Sequence, residues 1–135
     1  LEPQEQRRLL KHIYKTAYFL RLYNWRFKLT TDDSKGSDNY ASIKVVWEHR
    51  YAHIFLGEHW ATATAIDQTV TILHELFHCY YEPLLDLVKD TFKKDYRDKW
   101  KTAFNPMESF AEYACEQLAW AMVKHAPKWV PLVEE

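Results

Sequence analysis

Residues 69–83 read TVTILHELFHCYYEP, and the run His74-Glu75-Leu76-Phe77-His78 inside them decides how the rest of the chain is arranged. Just upstream, Thr64-Ala65-Ile66-Asp67 has the form of a capping box, and Ile66, Val70, Leu73, Phe77 and Tyr80 recur at helical spacing as far as Pro83. The spacing predicts a helix with both histidines in its second half. Residues four apart share a side of a helix, so His74 and His78 can offer two imidazoles to one ion while Glu75 points about 100° round the axis. Measured from Leu73 at the centre of the apolar stripe, the histidines fall about 100° and about 140° round, on its border. An ion held there would sit between this helix and a neighbour. With seven histidines in 135 residues, an HExxH arises by chance in roughly 0.03 of shuffled sequences. The alternative is an ordinary helix with two half-exposed histidines.

Outward from the motif, the pattern changes from helix to strand. YAHIFL at 51–56 closes at Gly57 as a short strand, and Tyr40 to Trp47 alternates through Ile43 and Val45 as another; the two read as a hairpin across Glu48-His49-Arg50. Trp25 to Leu29 alternates strictly and predicts a first strand, followed by the turn-rich connection TTDDSKGSDN. Residues 3 to about 23 predict an amphipathic helix that begins at Glu2-Pro3. Downstream, Pro83 is expected to end or kink the motif helix, with PLLDLVKDTFKKDYRDKW continuing as a second, more exposed helix. Asn105-Pro106 then reads as the start of a last long helix that stops before Pro127. The fold class is α+β: one helix, a small three-stranded sheet, then helices, with residues 1–135 as a single domain.

Two histidines do not hold a metal alone. A catalytic zinc takes three protein ligands and leaves the fourth position to water, so the third ligand has to come from another element. Glu108, Glu112 and Glu116 are stacked four apart on the last helix. Against the apolar face of Ala111, Ala114, Cys115, Leu118 and Met122, Glu108 lies about 60° away, Glu112 about 100° and Glu116 about 140°. Glu116 therefore reads as solvated. Glu108 and Glu112 both border the core, and either completes a His/His/Glu set.

Composition excludes several classes. The formal charge is -1 and no long basic block occurs, which removes any global reason to bind nucleic acid. No apolar run is long enough for a bilayer, so no membrane partner is expected. Hydrophobic residues make up 47% and only two residues are Gly, which predicts a packed core rather than a disordered chain. Cys79 and Cys115 read as two buried thiols in a reducing cytoplasm, not as a disulfide framework. The first residue is Leu, so a leader lost from before it stays open as a reading. Trp25, Trp47, Trp60, Trp100, Trp120 and Trp129 read as core and rim aromatics.

HELFHCYYEPL at 74–84, and EYACEQLAWAM at 112–122, where Glu precedes small and aliphatic residues three, six, seven and ten positions on, carry a resemblance. The chain resembles gluzincin zinc metallopeptidases, in particular the minimal single-domain ones encoded by bacteriophages, from about Trp25 to Pro131. The resemblance implies a zincin-like (minigluzincin) fold in the host cytoplasm, with His74, His78 and Glu112 as Zn2+ ligands and Glu75 as the catalytic carboxylate. Asn105 to Ala111 also looks like the ExxA helix of other gluzincins, by which Glu108 would bind zinc and Glu112 would stand behind it, or the reverse. The expected activity is peptide-bond hydrolysis by a zinc-activated water with Glu75 as general base, on a protein or peptide substrate. Tyr113, His49 and His53 are the candidates for stabilising the oxyanion, and strand 51–56 for pairing with extended substrate. Two rival readings are a zinc-stabilised protein-binding module without peptidase activity and a helical interaction protein without metal.

Overall fold

A strand that alternates apolar and polar residues buries one face, and Ala52, Ile54 and Leu56 do so at 0%, 0% and 1% exposure. They belong to β3 (Tyr51–Leu56), the middle strand of a three-stranded sheet in a computed structural model that describes residues 1–31 and 40–125. β2 (Ala41–Val46) pairs with it antiparallel, Ile43 opposite Ile54, through a 3-10 turn at Trp47–His49 and a left-handed Arg50. This is the hairpin that the alternation predicts. β1 (Arg26–Thr31) lies on the other side of β3 and runs parallel to it, Leu29 opposite Ile54. Strand 51–56 is thus paired along both edges, which corrects its expected role as the strand that takes an extended peptide. β2 is the sheet edge on the side of the histidines.

One face of the sheet is covered by helices. Leu9, Ile13 and Ala17 of α1 (Pro3–Phe19) and Ile72, Leu76 and Cys79 of α2 (Ala65–Tyr96) form a single core with Phe27, Leu29 and the inward residues of β3. α1 stops four residues before its apolar pattern does. Arg21 takes φ 63°, its N–H bonds the Tyr18 carbonyl, and the Leu22 N–H bonds the Ala17 carbonyl at 2.9 Å. These two bonds make a Schellman cap, with arginine where glycine usually stands. Without a glycine to mark it, the sequence pattern runs on.

Both internal prolines depart from expectation for one reason. α2 continues through Pro83 to Tyr96, and α3 (Trp100–His125) starts before Pro106 and runs through it. A proline removes one backbone hydrogen bond, while packing acts on every turn of the helix. Leu85, Tyr81, Val88 and Phe92 of α2 pack against Trp100, Phe104 and Ala111 of α3, which holds both helices across their prolines. A 3-10 turn at Arg97–Lys99 reverses the chain between them. At the other end Val70 and Leu73 meet Ala119, so α2 and α3 are antiparallel. Cys79 and Cys115 are both free and buried, and burial pushes each thiol up to about 12. Among the described residues no helix is long and apolar enough to cross a membrane. Residues 32–39 of the expected connection, the stop at Pro127 and Trp129 lie outside the described residues.

A left-handed residue with a Cβ costs about 1–2 kcal/mol that glycine avoids, offset in part by glycine's freer unfolded chain. Arg21→Gly is therefore expected to raise stability by about 0.5–1 kcal/mol, read as a shift in urea midpoint at constant slope.

Candidate metal centre

Two apolar contacts between α2 and α3 bracket the motif: Val70 and Leu73 on Ala119 before it, Leu85 on Phe104 and Ala111 after it. Between them the helices face each other with polar residues. His74 Nε2 lies 3.0 Å from Glu112 Oε2, and His78 Nε2 lies 2.9 Å from Glu112 Oε1. One ligand atom from each of these three residues falls within 4.8 Å of the other two. The imidazoles are well covered, at 13% and 8% exposure, whereas the Glu112 side chain is 53% exposed. The histidines are held in place and the carboxylate opens to solvent.

Of the residues singled out from sequence, His74, His78 and Glu112 come together, and Glu75 lies beside them, 8% exposed. Glu108 is exposed and outside the group. Glu116, read as solvated, instead accepts a hydrogen bond from His74 Nδ1 at 2.6 Å and another from Trp120 Nε1 at 2.9 Å. The helical wheel measured its angle correctly, but a wheel omits the neighbour that reaches across to it. Glu82 is a second residue missed: its Oε1 lies 3.4 Å from His78 Nδ1. Its position four residues after His78 was the available signal.

Two recesses meet at Glu75, which lines both. On the His74 side the walls include Tyr40, Asp67, Thr71, Glu116 and Trp120; on the His78 side they are Ala41, Ser42 and Ile43 of β2 with Glu82. Tyr113, His49 and His53 line neither. Tyr113 is 61% exposed on α3, and His53 Nε2 shares a hydrogen bond with Thr30 Oγ1 on the sheet face opposite the core.

Charge in the group is tightly linked. Burial drives the Glu75 carboxyl up to about 7, against the pull of both histidines. Burial disfavours charge on His78, but the Glu112 and Glu82 carboxylates outweigh it and raise the imidazole to about 10. Glu112, hydrogen-bonded by His74 and His78, is held far below the usual carboxylate range. His74 has carboxylates on both ring nitrogens and is raised despite its burial. Two imidazole nitrogens and a carboxylate, converging on one point with their Nε2 atoms aimed there, form a donor set that fits a divalent cation. A cation would take the place of the protons these groups otherwise share.

Compared with known protein families, curated proteins and solved structures, the chain has no match.

The signs give a pH dependence for chelator-treated protein. Glu112 stabilises the fold above its ordinary 4.5 and loses that contribution in acid. Glu75 opposes folding increasingly between its ordinary 4.5 and about 7. His78 stabilises fully below 6.5, and its contribution disappears as pH rises through about 10. The thermal midpoint of the metal-free chain is expected to peak between the ordinary carboxylate and imidazole ranges and to fall toward alkali. His78→Ala should flatten the alkaline limb in a series of melting curves.

Proposed function

We propose that this chain is a zinc-dependent metallopeptidase of the gluzincin type, a minimal single-domain form of the kind encoded by phages. The observation that carries the reading is the group of His74, His78 and Glu112 with the buried Glu75 carboxylate at the meeting point of two recesses. The three grouped side chains would hold Zn2+, through both Nε2 atoms and the Glu112 carboxylate. Bound zinc supplies an acidified water and polarisation of a carbonyl.

The chain's own groups have distinct tasks in this reaction. Glu116 accepts a hydrogen bond from His74 Nδ1–H and so would keep that ring's Nε2 turned toward the ion. Glu75 would act as general base, taking a proton from the attacking water on its carboxylate and returning it to the leaving amine. In the metal-free chain burial raises this carboxyl toward neutrality, which opposes the pull that a cation beside it would exert. Residues of β2 line the His78-side recess, and the ladder leaves Ala41, Ile43 and Val45 with outward backbone groups, given the Gly57-to-Tyr40 bond that sets the alternation. An extended peptide can add to that edge as a further strand.

Metal analysis of the purified chain and of variants tests the proposal. Wild type is expected to carry about one zinc per chain and His74→Ala to lose it. Glu75→Gln should keep zinc yet lower cleavage of a proteome-derived peptide library by about 10²–10⁴-fold. Zinc in both proteins with no cleaved peptide from wild type would point instead to a metal-stabilised binding module.

A further inference from the structure

The two histidines are supported unequally. His74 has a carboxylate on each ring nitrogen: Glu112 at 3.0 Å and Glu116 at 2.6 Å. His78 has Glu112 on Nε2 at 2.9 Å, but its Nδ1 is buried and makes no hydrogen bond. An unpaired polar atom in a side chain only 8% exposed is unfavourable unless something meets it. Glu82 Oε1 is 3.4 Å from that nitrogen, and among the described residues no other carboxylate lies within ion-pairing distance of it.

The chemistry of a metal-binding imidazole makes this nitrogen matter. Once Nε2 gives its lone pair to a cation, the neutral ring carries its one proton on Nδ1, and that proton needs an acceptor. We infer that Glu82 is the positioning residue of His78, accepting a hydrogen bond from Nδ1–H as Glu116 does for His74. The inference rests on the metal reading of the cluster. Glu82 follows His78 by one helical turn, so a change of side-chain rotamer is enough to close the gap. Its side chain is one-third exposed and lines the recess beside β2, which leaves it room to turn. The two carboxylates then act as a pair from different helices: Glu116 on α3 reaches across to α2, and Glu82 stays on α2 itself.

The experiment compares full-length wild type, Glu82→Ala and Glu82→Gln for zinc affinity by competition with a chromophoric chelator. In parallel, the imidazole Nδ1 proton of His78 is followed by NMR in the zinc-loaded proteins. Glu82→Ala is expected to bind zinc about 10–100-fold more weakly and to lose the slowly exchanging Nδ1 proton signal. Glu82→Gln, whose amide oxygen still accepts, should recover most of the affinity and the signal. Melting curves of the metal-free variants confirm that each is folded. Unchanged affinity and an unchanged signal in Glu82→Ala would overturn the assignment while leaving zinc binding intact. Equal weakening by Ala and Gln would also overturn it, since charge alone would then account for the loss. Wild type that takes up no zinc would instead remove the metal reading on which the assignment stands.

Discussion

Everything at the candidate centre depends on how two antiparallel helices are clamped. A polar group between packed helices is held only as firmly as the apolar contacts on either side of it. Here Val70 and Leu73 on Ala119 form one clamp, and Leu85 on Phe104 and Ala111 the other. Ala111 and Ala119, at 5% and 0% exposure, are small enough for α3 to approach closely, which brings a short carboxylate within 3.0 Å of both imidazoles. The sheet contributes from the opposite side by burying Ile72, Leu76 and Cys79, which fixes the rotation of α2 about its axis. With that rotation set, His74 and His78 can only face the seam between α2 and α3.

Charge is arranged with the same economy. Glu112, Glu116 and Glu82 each lie within 3.4 Å of a histidine nitrogen. Glu75 is buried with less compensation, and its raised carboxyl reflects that. Two carboxylates in one cluster are therefore driven in opposite directions, Glu112 downward by hydrogen bonds and Glu75 upward by desolvation. Such separation gives two chemically identical side chains different affinities for a proton.

Periodicity revealed the helix that carries His74 and His78, the alternation of the strands and the hairpin of β2 with β3. It placed Glu108 and Glu112 alike on the border of the α3 core without choosing between them; Glu112 meets the histidines, and Glu108 is exposed outside the group. Most of what it missed depended on partners distant in the chain. Pro83 and Pro106 read as breaks because local rules count the lost hydrogen bond and not the packing of Leu85 on Phe104. Glu116 read as solvated because a single-helix wheel has no knowledge of the His74 ring opposite. The place of β3 between its neighbours was hidden because alternation identifies a strand but not its order in a sheet. Arg21 concealed the end of α1 by adopting a conformation that glycine normally signals.

The parallel pairing of β1 with β3 bears on how the chain assembles. Arg26 meets Tyr51 across the ladder, and the strand between them in sequence sits on the far side of β3. β1 pairs with β3 across a stretch of chain that includes all of β2, and closing that longer loop carries an entropic cost that the hairpin does not. Local contacts favour early formation of the β2–β3 hairpin, whose partners run from Val46 opposite Tyr51 to Ala41 opposite Leu56, with β1 joining β3 later.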